Sequence, residues 1–197
     1  MRRAILARHG ESEYSAHGRL NGDITVAVAL TTRGRDEARR LGEQLRDERL
    51  DLCVTSEFQR ARETADRALA GRDVPREIDP RLNDPLIGRF EGAHLEEYRA
   101  WASGSPSSAA PEGGGESRLV IVQRYADAFR GVLERPEDTI LVVCHSLPVS
   151  YALGARDGTP PGARVPLAEH ATPYAFTAAQ LERATAVLEE WAASPSW

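Results

Sequence analysis

The sequence predicts an α/β fold, a three-layer α/β/α sandwich with a mostly parallel central sheet. Short apolar runs without alternation occur at Ala4–Ala7, Leu52–Thr55 and Thr139–Cys144, a pattern typical of strands covered on both faces. Amphipathic helical segments separate these runs, and strand–helix–strand alternation favours a parallel sheet with helices packed on it. The length of 197 residues fits one domain with a full core.

The expected helices follow the strands along the chain. Each carries apolar or small residues near the helical period. The first, at 33–49, is expected to begin after Thr31 or Thr32, because a threonine hydroxyl can cap the first turn. The others are expected at Gln59–Leu69, Leu119–Leu133 and Ala178–Ala192.

The segment Ser103–Ser117 departs from this pattern. It is built from Ser, Pro, Ala, Gly and two Glu and offers nothing to bury. Such a stretch predicts a flexible loop or lid within a single domain spanning 1–197. Ser117 is expected to cap the helix that follows.

Composition limits the classes of partner. The net charge of −5 argues against binding to nucleic acid or to an anionic membrane. No apolar run approaches the roughly 18 residues of a membrane span, and no signal-peptide core is visible. Cys53 and Cys144 are expected to be buried free thiols, with a bridge between them as the alternative, so we expect a cytoplasmic protein. Nothing in the sequence indicates the oligomeric state.

Cationic and nucleophilic side chains follow the predicted strands. Arg8 and His9 come after the first strand, Arg60 opens the helix after the second, and His145 follows the last. Because parallel strands present their carboxyl ends at one edge, these residues are expected to line one pocket. A guanidinium fork suits phosphate, and a neutral imidazole can attack phosphorus. The sequence therefore predicts a phosphate-ester site.

Linked motifs in this region resemble a known family. The chain is similar to the histidine phosphatase superfamily (branch 1), which also contains the cofactor-dependent phosphoglycerate mutases. The motifs that carry the resemblance are Arg8–Glu11, Arg19–Asp23, Leu30–Ala38, Ser56–Ala65 and Val142–Ser146.

The resemblance implies a phosphoglycerate mutase-like fold and a set of site residues. It makes His9 the group that takes the phosphoryl group, within a cationic pocket formed by Arg8, Arg60 and His145. Arg62 is expected on the surface of the same helix as Arg60. The family's substrate contacts suggest Ser15, Asn21 and Gly22 as further binding residues. The resemblance implies neither a metal nor a cofactor.

The acid of the reaction is the main departure from the family. Asp84 stands where the family has Glu, one methylene shorter. An aspartic acid can protonate a leaving group if burial raises its pKa. Glu91 is interpreted as structural.

The favoured function is a metal-independent phosphomonoesterase of the histidine acid phosphatase type. It is expected to form a phosphohistidine and to act on a small phosphorylated metabolite, with the natural substrate left open. The residues Asp84–Ile87 replace the Glu-Arg-x-Tyr of the mutases, which favours a phosphatase. The alternatives are a phosphoglycerate mutase and a weakly catalytic phospho-ligand-binding protein. We expect His17, His94 and His170 to be exposed or locally bonded, with His170 near the pocket as the alternative.

Overall fold

The central sheet of the computed structural model, which describes residues 1–197, has five strands. They are β1 (Arg3–Arg8), β2 (Leu52–Thr55), β3 (Arg76–Ile78), β4 (Thr139–Cys144) and β5 (Pro173–Thr177). Their order across the sheet is β3-β2-β4-β1-β5. Only β5 runs antiparallel to its neighbour. The predicted fold class, with a mostly parallel sheet, is confirmed.

Six helices accompany the sheet: α1 (Thr32–Gln44), α2 (Gln59–Ala68), α3 (Leu95–Ser103), α4 (Arg118–Leu133), α5 (Ser146–Arg156) and α6 (Ala178–Ala193). Buried side chains of α1 and α2 form one core with Ile5 and Ala7 of β1. Those of α4, α5 and α6 form a larger core with Ala4 and Leu6. Successive residues of β1 therefore face opposite layers, which is why the strand is apolar throughout. None of the six helices is both long and apolar enough to cross a membrane.

Helix α1 ends earlier than predicted. Its start matches the expectation, because the Thr31 hydroxyl accepts a hydrogen bond from the Gly34 amide at 3.0 Å. It ends at Gln44 rather than Arg49. Arg72 donates to the carbonyls of Leu45 and Glu48 at 2.7 and 2.5 Å. This long-range contact satisfies carbonyls at the end of the helix that lack an intrahelical partner.

Four elements were not predicted: β3, β5, α3 and α5. Strand β3 is fully exposed and β5 half-exposed, so as edge strands they lack the continuous apolar run that marks the central ones. Helix α3 packs on a small separate cluster rather than on the sheet. In α5, Pro148 occupies the first turn, where its missing amide proton breaks no helical hydrogen bond.

The expectation that Ser103–Ser117 has nothing to bury is wrong. Ser107 is buried, and its amide and hydroxyl both donate to the Trp197 carbonyl, at 3.1 and 2.5 Å. At its other end, Glu116 exchanges two hydrogen bonds with the Leu86 backbone. Polar backbone groups rather than apolar side chains attach this segment, so hydrophobic patterning could not reveal it. Ser117 caps α4 as predicted, accepting from the Val120 amide.

Candidate active site

The carboxyl ends of β1, β2 and β4 bring the predicted cationic residues together. Arg8 is the last residue of β1, His9 follows it, and His145 follows β4. Arg60 lies in the first turn of α2, four residues beyond the Ser56 that follows β2. Arg8, His9 and Arg60 line one pocket of about 1000 Å³, counted to its open mouth. His145 is fully buried beside it, 5.3 Å from His9 between ring centroids.

The orientation of His9 leaves one ring nitrogen for chemistry. Its Nδ1 lies 2.7 Å from the Gly10 carbonyl, which can only accept, so Nδ1 carries the proton. Nε2 then holds a lone pair and accepts a hydrogen bond from Arg60 Nε at 3.2 Å. Burial, and then the Arg60 charge, lower the pKa of His9 well below its usual value. The imidazole is therefore neutral at physiological pH, with an unprotonated Nε2 facing the pocket.

Glycine is required directly after His9. A Cβ on Gly10 would lie 2.4 Å from the Gly34 carbonyl oxygen, a separation that real side chains do not tolerate. The Gly10 amide also donates to Thr64 Oγ1 at 3.0 Å. Close backbone approach and this hydrogen bond fix the turn that carries the nucleophile.

Arg60 contacts four polar residues at the pocket: His9, Asn21, Asp84 and His145. Its Nη1 donates to Asn21 Oδ1 at 2.6 Å, and its Nη2 donates to the Asn21 carbonyl and to Asp84 Oδ2 at 2.9 and 2.8 Å. The guanidinium is buried, lies 4.2 Å from the Phe58 ring centroid, and has its pKa lowered by burial. These contacts fix the guanidinium in position, so binding of an anion costs little further side-chain entropy.

Asp84 contacts both Arg60 and His145. Its Oδ2 contacts His145 Nδ1 at 3.2 Å as well as Arg60. Burial raises the pKa of Asp84, but His145 and Arg60 outweigh burial and hold it well below its usual range. The condition set for an aspartic acid in this role, a pKa raised by burial, is therefore not met in this structure, because the contacts with His145 and Arg60 outweigh burial.

The tautomer of His145 follows from these contacts. An ionised Asp84 only accepts, so His145 Nδ1 donates to it. His145 Nε2, 2.8 Å from Ser56 Oγ, then accepts from that hydroxyl. Burial lowers the pKa of His145 to about 4 despite the nearby carboxylate. Both histidines of the site are thus neutral near pH 7.

Arg8 supplies the second positive charge of the pocket. Its Nη1 donates to the Ala168 carbonyl at 2.9 Å, while its Nε is buried without a hydrogen-bond partner. Burial lowers its pKa to about 10, which still leaves it charged at neutral pH.

The three predicted binding residues Ser15, Asn21 and Gly22 also line the pocket. However, Glu91 already accepts from Asn21 Nδ2 and from the Gly22 amide, at 2.9 and 2.8 Å. Asn21 Oδ1 accepts from Arg60. Asn21 and Gly22 therefore position the pocket loop and Arg60. Glu91 holds this loop through its hydrogen bonds, which is the structural role predicted for it.

His170 is the residue nearest the nucleophile that the sequence did not place. The expectation of an exposed or locally bonded imidazole is wrong for it: its ring centroid is 5.8 Å from that of His9. Its Nε2 is buried without a partner, and burial lowers its pKa to about 3. A backbone bridge between Arg8 and His170 brings the imidazole of His170 beside His9. Only a correct prediction of how the chain around β5 pairs with β1 would have revealed this position. His17, His94 and Arg62 are exposed or nearly so, as expected.

The donor set of the pocket suits an anion. Ligand atoms of His9, Asp84 and His145 lie within 4.8 Å of one another, close enough for a metal ion. The Arg60 guanidinium contacts all three side chains, at 2.8 to 3.3 Å. A fixed positive charge there repels a metal cation and attracts a phosphate.

A mostly parallel sheet that presents a neutral histidine beside the Arg8 and Arg60 guanidinium groups is suited to phosphoryl transfer. Residues 4–194 match the model of the histidine phosphatase superfamily (branch 1). The chain belongs to this superfamily, as its motifs predicted.

Relatives and solved structures agree with the assignment. The adenosylcobalamin/alpha-ribazole phosphatase of Salmonella typhimurium (strain LT2) is 33% identical over 153 residues, 73% of each chain. The glucosyl-3-phosphoglycerate phosphatase of Mycolicibacterium vanbaalenii is 34% identical over 131 residues, 63% of this chain and 56% of that one. The alpha-ribazole phosphatase of Shigella flexneri has a TM-score of 0.75 at 28% identity, over 88% of this chain and 89% of that one. Bacillus stearothermophilus YhfR has a TM-score of 0.74 at 29% identity, over 88% and 89%. The protein is a phosphoric monoester hydrolase of the histidine phosphatase type, which confirms the predicted enzyme class.

The neutral buried histidines predict acid lability. The pKa of His145 is about 4 when folded and about 6.5 when unfolded. As the pH falls below 6.5, His145 therefore takes up a proton in the unfolded chain before it does so in the folded protein. The free energy of unfolding is expected to drop by up to about 1.4 kcal/mol per pH unit, or about 3 kcal/mol at pH 4, from this group alone. His9 and His170 act with the same sign.

Urea denaturation at pH 7.5, 6, 5 and 4.5 measures this loss. His145→Asn is expected to flatten the pH dependence, and His94→Asn, at an exposed position, to leave it unchanged. A free energy of unfolding that stays constant between pH 6.5 and 4.5 in the wild type would contradict the buried, neutral state.

Proposed function

We propose that His9 Nε2 attacks the phosphorus of a small phosphate ester and forms a phosphohistidine. The observation that carries this proposal is the pair of contacts on the His9 ring. Its Nδ1 proton is held by the Gly10 carbonyl and its Nε2 lone pair lies against Arg60 in an open pocket. Arg8 and Arg60 stabilise the charge on the equatorial oxygens, the main requirement of this reaction. The neutral His145 donates its Nδ1 proton to them when the phosphate displaces Asp84.

The reaction has two steps. In the first, the P–N bond to His9 forms, the P–O ester bond breaks, and the leaving oxygen takes a proton from Asp84. In the second, Asp84 accepts a proton from water as the water oxygen attacks phosphorus. The P–N bond breaks, and inorganic phosphate leaves a regenerated His9. No metal takes part in this sequence, because the guanidinium groups neutralise the phosphate.

The proton on Asp84 depends on the substrate. In the empty pocket Asp84 is ionised by Arg60 and His145. A phosphate dianion that binds Arg60 competes with Asp84 for the guanidinium and places negative charge beside the carboxylate. Both effects raise the pKa of Asp84. Substrate binding therefore leads to protonation of Asp84. The shorter side chain can act as the acid because the phosphate replaces it as the partner of Arg60.

Replacing Asp84 with asparagine separates these two roles of the carboxylate. We expect kcat for an alkyl phosphate to fall about 10²-fold or more, because the alkoxide must be protonated. For para-nitrophenyl phosphate, whose leaving group departs as an anion, the loss should be much smaller. Vanadate should bind more tightly, since it no longer competes with a carboxylate for Arg60. Steady-state kinetics with ethyl phosphate and para-nitrophenyl phosphate, with vanadate inhibition constants, measure all three.

An equal loss of kcat for both esters would show that Asp84 is not the acid. Asp23→Asn is the matched control, because the Asp23 carboxylate accepts only from Thr25 and does not line the pocket. It should leave all three quantities unchanged.

The wild type tests the proposed function most directly. It should release phosphate from para-nitrophenyl phosphate with EDTA present. Vanadate binding without turnover would instead establish the phospho-ligand-binding alternative. Conversion of 3-phosphoglycerate to 2-phosphoglycerate in an assay primed with 2,3-bisphosphoglycerate would establish the mutase.

The proposed substrate is a small phosphorylated metabolite. The phosphatase names of the relatives, for alpha-ribazole phosphate and glucosyl-3-phosphoglycerate, support this class. A cytoplasmic location is proposed from Cys53 and Cys144, which are buried and unpaired. Burial raises the pKa of each thiol to about 12, so both are inert thiols suited to a reducing compartment.

A further inference from the structure

The outer wall of the active-site pocket contains a second cationic group. Arg118, the first residue of α4, lines the same pocket as His9 and Arg60 and is 7% exposed. The catalytic steps above do not use it. Apolar side chains such as Leu20, Ile87 and Leu95 also line the pocket.

Arg118 is not neutralised by the protein. It forms no ion pair, and its hydrogen bond is a single one from Nη1 to the Tyr151 hydroxyl at 3.0 Å. Its Nε is buried without a partner. Two other arginines of the pocket are paired, Arg60 with Asp84 and Arg99 with Glu96. Arg8 resembles Arg118 in having no ion pair and a buried Nε without a partner, but the proposed catalytic steps use Arg8. Arg118 is thus a buried cation whose donors are mostly unused.

Such an arrangement opposes folding. A buried charge without a counter-ion carries a desolvation cost, and the contacts that offset it here are one hydrogen bond to Tyr151 and the ring of Tyr98. Its position in the first turn of α4 adds repulsion from the positive end of the helix dipole. A residue that acts only in stability would be expected to have a carboxylate partner or an apolar replacement here.

Tyr98 supplies a second unused donor beside Arg118. The guanidinium carbon lies 5.2 Å from the Tyr98 ring centroid. The Tyr98 hydroxyl is buried without a hydrogen-bond partner, and the residue lines the pocket. Burial raises the pKa of Tyr98, so the hydroxyl keeps its proton at neutral pH. A cation and a hydroxyl side by side, each with a buried donor that has no acceptor, form a built site for an anion.

We propose that Arg118 and Tyr98 bind a second anionic group on the leaving-group side of the substrate. The substrate class is then a phosphomonoester whose alcohol carries a carboxylate or a second phosphate, joined through a short carbon chain that lies on the apolar wall. This inference rests on the proposed function for the position of the reacting phosphate. The inference adds that the leaving group carries a negative charge, a property that the catalytic residues do not specify.

Binding of non-hydrolysable phosphonates tests the subsite without turnover. Phosphonocarboxylates with one, two or three methylene groups are compared with alkyl phosphonates of equal length by isothermal titration calorimetry. The wild type should bind the carboxylate of at least one length about tenfold or more tightly than its alkyl partner, the gain typical of a charge-assisted pair. Bisphosphonates of the same lengths show whether carboxylate or phosphate fits better.

Two substitutions in the subsite are then compared with a control. Arg118→Met should reduce the affinity ratio to near one, and Tyr98→Phe should reduce it several-fold. Arg183→Met is the matched control, because Arg183 is exposed on α6, forms no ion pair and lies outside the pocket. It removes the same charge and should keep the ratio. Arg118→Met should also unfold no earlier than the wild type, since it removes an uncompensated buried charge.

The outcomes separate the subsite from the catalytic proposal. A wild type without preference at any chain length, or an Arg118→Met protein that keeps the preference, would overturn the subsite. The first result requires no variant to fold. His9→Ala should retain the preference, because binding needs no phosphohistidine. An active His9→Ala enzyme would refute the mechanism and leave the affinity ratio unaffected.

Discussion

Replacing His9 with alanine is expected to lower kcat by at least about 10⁴-fold, the scale of loss when an enzyme's nucleophile is removed. Its Nε2 is the only nitrogen of that ring free of a proton, and it faces Arg60 in the pocket. His145 cannot replace it, because it donates Nδ1 to Asp84 and uses Nε2 to accept from Ser56. Release of phosphate from para-nitrophenyl phosphate measures the loss.

The control for this variant is His17→Ala, at an exposed position outside the pocket lining, which should retain full activity. Rapid quenching of the wild type with a radiolabelled substrate should trap an acid-labile, alkali-stable phosphoenzyme. That species should be absent from His9→Ala. Substantial activity in the His9 variant, or a phosphoenzyme that persists in it, would refute the phosphohistidine mechanism.

Replacing Arg60 with methionine is expected to damage both catalysis and stability. We expect kcat/KM to fall about 10³-fold, because the guanidinium that would hold the equatorial oxygens is gone. The free energy of unfolding should fall by about 3 kcal/mol, because Asp84 loses its partner in a largely buried pocket. The variant also leaves Asn21 Oδ1 without the donor that holds its loop.

A third effect of Arg60→Met distinguishes an electrostatic role from a merely structural one. The Arg60 charge lowers the pKa of both His9 and His145, so the pKa of each should rise in the variant. NMR titration of the histidine ring protons measures this rise. Arg62→Met is the matched control on the same helix, exposed to solvent, and should resemble the wild type. An Arg60 variant within about threefold of wild-type kcat/KM would contradict the proposed role.

The central strands and the residues that follow them could be predicted from the sequence. The bounds of β2 and β4 agree with the prediction, and α2 ends within one residue of it. The two strands are buried on both faces and α2 on one, so their residues repeat the local patterns that burial requires. The edge strand β3, fully exposed, has no such pattern, and its pairing with β2 is decided by contacts distant in the chain.

The charge state of Asp84 could not be predicted from its position in a motif. Burial and counter-charge shift a carboxyl pKa in opposite directions, and only distances decide between them. Here Arg60 and His145, far apart in sequence from each other, both lie within 3.2 Å of one carboxylate oxygen. The same limit applies to Arg118, whose lack of a counter-ion is visible only when every neighbour is known.

The sequence by itself determined the class of fold, the family, and the residues His9, Arg8, Arg60 and His145, because strand ends and linked motifs are local signals. The tertiary structure alone decided which nitrogen of His9 is free, that Asp84 is ionised before substrate binds, and that His170 lies beside the nucleophile. It alone placed Arg118 and Tyr98 on the wall of the same pocket. These properties depend on burial and on distances between segments that are remote in sequence, and no local pattern of residues encodes either quantity.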